Sequence, residues 1–121
     1  MKILISATYF EPYKSGLSIY ALRVAQGLVK LGHEVVVLTS QFTPDLPLEE
    51  DIDGVKVVRI PVLLRISKGV ILRGLRAALR HWVGWAEVVN LHLPQFESPT
   101  FARECRRQAK PLVVTYHCDL E

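Results

Sequence analysis

The most constraining feature of this sequence is its first forty residues, where two apolar runs of strand length flank one amphipathic helix. Lys2 to Thr8 (KILISAT) has no polar face, as in a strand buried on both sides at the centre of a parallel sheet. Glu11-Pro12-Tyr13-Lys14-Ser15-Gly16 breaks that run with turn residues. Leu17, Tyr20, Ala21, Val24, Ala25, Leu28 and Leu31 then recur at three- and four-residue steps, the apolar stripe of a helix, and Gly32 supplies its left-handed stop. Glu34 to Thr39 (EVVVLT) is a second apolar strand. Strand, crossover helix and strand in that order imply parallel pairing in a right-handed βαβ unit.

The rest of the chain continues the alternation. Ser40 to Asp53, with two prolines and a cluster of carboxylates, reads as surface loop. Val55 to Ile60 (VKVVRI) alternates, which suggests a strand nearer the sheet edge, and Pro61 is expected to end it. Gly69 to Trp85 has helical spacing, with Leu72, Leu75, Leu79, Trp82 and Val83 on one face. Glu87 to His92 (EVVNLH) is a fourth strand, closed by Leu93-Pro94. Ser98-Pro99 is a helix start, and that helix should run to about Ala109. Leu112 to Tyr116 (LVVTY) is a fifth strand. The predicted fold class is therefore α/β, a Rossmann-like parallel sheet of five strands with flanking helices. Three helices on five strands leave one sheet face under-covered, so residues 1–121 are expected to be one domain of a longer chain, or one completed by a partner.

Composition excludes several classes. Half of the residues are apolar, and no apolar run approaches the ~20 residues needed to cross a bilayer. The N-terminus lacks the length and small-residue cleavage site of a signal peptide. Cys105 and Cys118 show no paired spacing of a disulfide framework. A cytoplasmic location is expected. A formal net charge of +3 is too small to argue for nucleic acid.

In an open parallel sheet, ligands bind outside the carboxyl ends of the strands, where strand order reverses. Three loops leave such ends: Tyr9 to Gly16, His92 to Glu97, and His117 to Asp119. The first is not a dinucleotide fingerprint, because only Gly16 of the three required glycines is present, and it is not a P-loop. Ser15-Gly16-Leu17-Ser18 nevertheless opens a helix, whose free N–H groups and dipole favour a phosphate or carboxylate; the alternative is a plain turn with a Ser cap. His117 ends a strand at this edge, where an imidazole can hydrogen-bond a hydroxyl or move a proton, or be held structurally by backbone. His92 is similar. His33 sits at the opposite, amino end of a strand, which points to a structural role. Metal binding by His92, His117 and Cys118 lacks the close ligand spacing of a zinc site, and no G-x-S-x-G elbow exists for a hydrolase.

Val62 to Trp85 carries Arg65, Lys68, Arg73, Arg76 and Arg80 with no acidic residue. Arg73, Arg76 and Arg80 fall at i, i+3 and i+7, a basic stripe that is either a solvated edge or a contact with an anionic membrane, alongside Trp82 and Trp85.

Several segments together resemble the glycosyltransferases of family 4, which have the GT-B architecture. They are Met1-Lys2-Ile3-Leu4-Ile5 with Tyr9-Phe10-x-Pro12-x-x-Ser15-Gly16; Val29-x-x-Gly32-His33-Glu34-Val35-x-Val37-Leu38-Thr39; Ala86-Glu87-Val88-Val89-Asn90-Leu91-His92; and Val113-Val114-Thr115-Tyr116-His117-x-Asp119. The resemblance implies the N-terminal, acceptor-side half of a two-domain enzyme. Its C-terminal domain, absent from this chain, would hold a nucleotide-sugar donor. It also implies retention of anomeric configuration and no cofactor or catalytic metal. By position, Ser15, Gly16, Leu17 and Ser18 would lie beside the donor diphosphate and acceptor, and His117 near the transferred sugar as the catalytic residue. Tyr9, His92 and Asp119 would line the cleft. Ser15 stands where the family usually has the first of two glycines, and Glu87 where Asp is common.

The expected function is thus transfer of a sugar from a nucleotide-sugar to a glycan or lipid-linked acceptor, by a cytoplasmic protein whose basic stripe offers peripheral contact with the inner face of the membrane as an alternative to a solvated edge. This chain alone is expected to be inactive. The alternatives are a non-catalytic binding module whose partner supplies the donor half, and a nicotinamide-dependent domain, which the single glycine argues against.

Overall fold

The computed structural model describes residues 1–7, 10, 16–66, 69–72, 74–93 and 98–116. Its elements are β1 (Lys2–Ser6), α1 (Gly16–Lys30), β2 (Glu34–Gln41), β3 (Glu49–Ile52), β4 (Val55–Ile66), β5 (Gly69–Leu72), α2 (Leu75–Trp85), β6 (Val88–Leu93), α3 (Ser98–Arg107) and β7 (Leu112–Tyr116). The sheet runs β3-β4-β2-β1-β6-β7, with β5 paired to β4. The five strands β4, β2, β1, β6 and β7 are mutually parallel, which is the Rossmann-like sheet expected from the apolar runs.

Each face of the sheet has its own core. Ile3, Ile5, Val35, Val37, Val55 and Val57 pack with Phe10, Ala21 and Ala25 under α1. Leu4, Val36, Leu38, Val58, Val89 and Leu91 pack on the other face with Leu79 and Val83 of α2 and Phe101 and Cys105 of α3. Burying each such aliphatic side chain contributes about 1.5–3 kcal/mol, so the period-two division of the strands between the faces fixes their register. Among the described residues α1 is the one helix on its face, and it covers β4, β2 and β1. Val113 on β7 is left 53% exposed. Val114, on the opposite face of the same strand, is 49% exposed, so both faces are thinly covered at this edge.

Two helices end in the same hydrogen-bond pattern. After α1, His33 N–H reaches Leu28 O at 3.1 Å and Gly32 N–H reaches Val29 O at 3.0 Å, with Gly32 at φ 92°. After α3, Lys110 N–H bonds Cys105 O at 2.8 Å and Ala109 N–H bonds Arg106 O at 3.2 Å. Both are Schellman closures, the second with a non-glycine residue, Ala109, at φ 56°.

Three expectations are corrected. Ser40 to Asp53 is not all loop: Glu49–Ile52 forms β3, antiparallel to β4. The two-residue turn Asp53-Gly54, at φ 52° and 84°, supplies the doubly left-handed geometry that a tight hairpin needs. Pro61 does not end its strand. It occupies the last parallel pair, with Gln41, and from Val62 the strand changes partner to β5, so the missing N–H falls where one ladder gives way to the next. The helix expected from Gly69 begins at Leu75, because Gly69–Leu72 returns as β5 and Gly74, at φ 73°, turns the chain into α2. Arg76 and Arg80 are exposed on α2, and Arg73 lies outside the described residues.

Candidate functional site

From β1 the chain builds outward through β2 to β4, then returns across β1 to build β6 and β7 on its other side. The reversal lies between β1 and β6, and their carboxyl ends define the crevice at which open α/β sheets bind ligands. Three elements reach it: the start of α1, the end of β6 and the end of β7.

The first wall is the entry to α1. Phe10 is fully buried in the core that also holds Ala21 and Ala25 of the helix. Gly16 is exposed at the head of this 15-residue helix, and a helix N-terminus at this edge carries the positive end of the helix dipole. Ser18 is fully buried, one turn in. Tyr20 remains 48% exposed, and its ring lies 6.1 Å from that of His92 at 57°.

The second wall is the polar end of β6. Asn90 and His92 are two residues apart, so both point to the α1 face, an interruption in an otherwise apolar strand. His92 is fully buried, with Nε2 2.8 Å from Asn90 Oδ1. Asn90 Nδ2 donates across to β7, to Val113 O and to Thr115 Oγ1, each at 3.0 Å. In the parallel register His92 stands opposite Thr115, and Leu93 opposite Tyr116, the residue before His117.

Of the site residues expected from sequence, Gly16, Leu17, Ser18 and His92 stand on the elements around this reversal. Tyr9, Ser15, His117 and Asp119 lie outside the described residues, as does Cys118. Phe10, Tyr20, Asn90 and Thr115 were not singled out. The usable signal was Asn90 in EVVNLH, a carboxamide at the same-face spacing from His92 in an apolar strand. His33 sits at the opposite edge, its Nδ1 3.3 Å from the Met1 amine. There it joins Glu34, Lys56, His81, Trp82 and Trp85 around a groove of about 500 Å³. Trp82 and Trp85 also pack on the α2-side core, and Lys56 Nζ lies 5.3 Å from the Trp82 ring centroid.

Comparison with known proteins gives a consistent picture. The family model described as Glycosyltransferase Family 4 matches residues 14–121. An uncharacterized glycosyltransferase of Methanocaldococcus jannaschii is 43% identical over 61 residues, covering 50% of this chain and 15% of its own length. Sucrose-phosphate synthase from Thermosynechococcus elongatus superposes with a TM-score of 0.68 at 18% identity, over 97% of this chain and 33% of that one. The C-terminal domain of a Pyrococcus furiosus hydrogenase superposes with a TM-score of 0.62 at 16% identity, over 94% of this chain and 90% of that domain. At these identities the two structural likenesses concern the fold. The chain spans about a seventh of the length of its M. jannaschii relative and a third of the synthase.

Proposed function

The chain belongs to glycosyltransferase family 4, and on that premise we propose that it is the acceptor-side part of a retaining glycosyltransferase that uses a nucleotide-sugar donor. The observation that carries the proposal is the convergence at one sheet edge of a helix N-terminus and a buried, hydrogen-bonded histidine. The helix start offers N–H donors and a positive dipole end to a diphosphate or other anionic group. Ser15 and Gly16 are the proposed contacts there. Tyr20, half exposed, forms the neighbouring wall with the buried His92 behind it, suited to a hydroxyl-rich acceptor. His117 is the proposed catalytic residue, hydrogen-bonding the transferred sugar and stabilising the negative charge that develops as its bond to the donor phosphate breaks. Tyr9 and Asp119 are proposed to complete the lining. The donor-binding half belongs to a second domain, and no metal or cofactor is required.

The acceptor is a glycan or a lipid-linked glycan. Arg76 and Arg80 on the exposed side of α2 support a lipid-linked acceptor, since two arginines on one helix face can rest on an anionic bilayer surface. Among the described residues no helix is long and apolar enough to cross a membrane, so this contact would be peripheral.

The full-length protein, incubated with a panel of nucleotide sugars and with glycan and lipid-linked acceptors, is expected to transfer or release sugar from one of them. Absence of both with every donor would overturn the proposal.

A further inference from the structure

The polar link between β6 and β7 fixes the position of a proton. The Val113 carbonyl can only accept a hydrogen bond, so the Asn90 atom 3.0 Å from it is the amide nitrogen. That nitrogen also donates to Thr115 Oγ1 at 3.0 Å, which occupies both of its hydrogens. Asn90 Oδ1 is thereby turned to His92, 2.8 Å from Nε2. An amide oxygen can only accept, so the proton between the two residues belongs to Nε2 of the imidazole. The flipped amide would set oxygen against oxygen at Val113 and forfeit the strand link.

We infer that Asn90 is a positioning residue that holds His92 in its Nε2–H form and ties β7 to β6 two residues before His117. In the neutral ring Nδ1 is then the nitrogen with the lone pair. His92 is fully buried and β6 is paired on both sides, so the ring cannot easily turn Nε2 away from Asn90 Oδ1. Asn90 therefore acts on His92 through the proton and on β7 through the strand link, which ends two residues before His117 in sequence. The catalytic consequence rests on the sugar-transfer reading; the proton assignment does not.

Histidine nitrogen chemical shifts in the isotope-labelled full-length protein test the assignment, with His92 identified by its loss in His92→Gln. In the wild-type protein the His92 signals are expected to show a proton on Nε2. A proton on Nδ1 with none on Nε2 would overturn the inference without any need for a further variant to fold. Asn90→Leu should lose the Nε2–H signature; an unchanged signature in that variant would contradict the role assigned to Asn90. In transfer assays Asn90→Leu should lower kcat on the order of tenfold while changing acceptor KM less than about twofold, and an unchanged kcat would remove the positioning role. The Nε2–H signature without turnover on any donor would uphold the assignment and end the transfer reading. Transfer with the proton on Nδ1 would do the reverse.

Discussion

Tyr20 and His92 face each other across the reversal in strand order, their ring centroids 6.1 Å apart and their planes inclined at 57°. One ring stands on the first turns of α1 and the other at the end of β6, so this contact joins the two walls of the candidate site. Tilted aromatic pairs of this kind contribute about 0.5–1.5 kcal/mol. Tyr20→Ala is expected to lower unfolding stability by about 1 kcal/mol, and Tyr20→Phe by less than half of that. Urea denaturation of both variants checks it, and equal losses would show that the ring contact is not what stabilises this corner.

Gly32 and Ala109 occupy equivalent left-handed positions after α1 and α3, and they should respond to substitution with opposite signs. Gly32→Ala meets no atom within 4 Å, so its cost is that of the backbone alone, about 1 kcal/mol. Ala109→Gly relieves the same strain and should gain roughly 0.5–1 kcal/mol, less whatever backbone entropy glycine adds to the unfolded chain. Thermal melts of the two variants should move in opposite directions.

Glu104 gives a pH dependence with a definite sign. Hydrogen bonds from Arg107, and then from Gln108, hold its carboxyl below the ordinary value of 4.5. A carboxyl with a depressed folded-state value binds protons more tightly in the unfolded chain, so stability rises with pH across that interval. The contribution is fully present above pH 4.5 and is lost as pH falls through the lower folded-state value. Wild type should therefore exceed Glu104→Gln in stability at neutral pH, and the difference should shrink on acidification below 4.5. A difference that grows on acidification would refute the assignment.

Arg76 and Arg80 carry the proposed membrane contact, because Trp82 and Trp85 are engaged with the core. At about 1 kcal/mol per basic residue, replacing both with Ala should weaken sedimentation of the full-length protein with phosphatidylserine vesicles by about twenty- to thirtyfold at low salt. Unchanged sedimentation would make the pair ordinary solvated surface.

The parallel sheet was legible because its strands are buried on both faces, and uninterrupted runs such as Ile3 to Ile5 and Val35 to Leu38 leave no other solution. The hairpins were harder to read, because they depend on local turns and partners. Glu49–Ile52 looks like acidic loop, and it pairs as a strand because Asp53-Gly54 reverses the chain. Arg59 of β4 then holds it, with a buried guanidinium that donates to Glu50 Oε1 at 2.5 Å and Pro47 O at 3.0 Å. Composition cannot show that an arginine will be buried, since the event depends on a carboxylate nine residues away. Likewise, Leu72 and Leu75 have helical spacing, but Gly74 between them adopts a left-handed turn that breaks the stripe. At the candidate site, His92 was visible as a histidine ending a strand. Asn90 carried a signal in its same-face spacing from His92, and its partner Thr115 became visible only when the register placed β7 beside β6.

The central claim is that chemistry occurs at the carboxyl edge of the sheet, where β6 and β7 end, and not at the amino edge, where His33 lies. The most direct measurement is sugar transfer by the full-length protein in three forms: wild type, His117→Ala and His33→Ala. Loss of a charge-stabilising hydrogen-bond donor typically lowers kcat by about 10²–10³, and His117→Ala is expected to fall in that range while His33→Ala stays within a few-fold of wild type. Comparable losses in the two variants, or a greater loss in His33→Ala, would contradict the account.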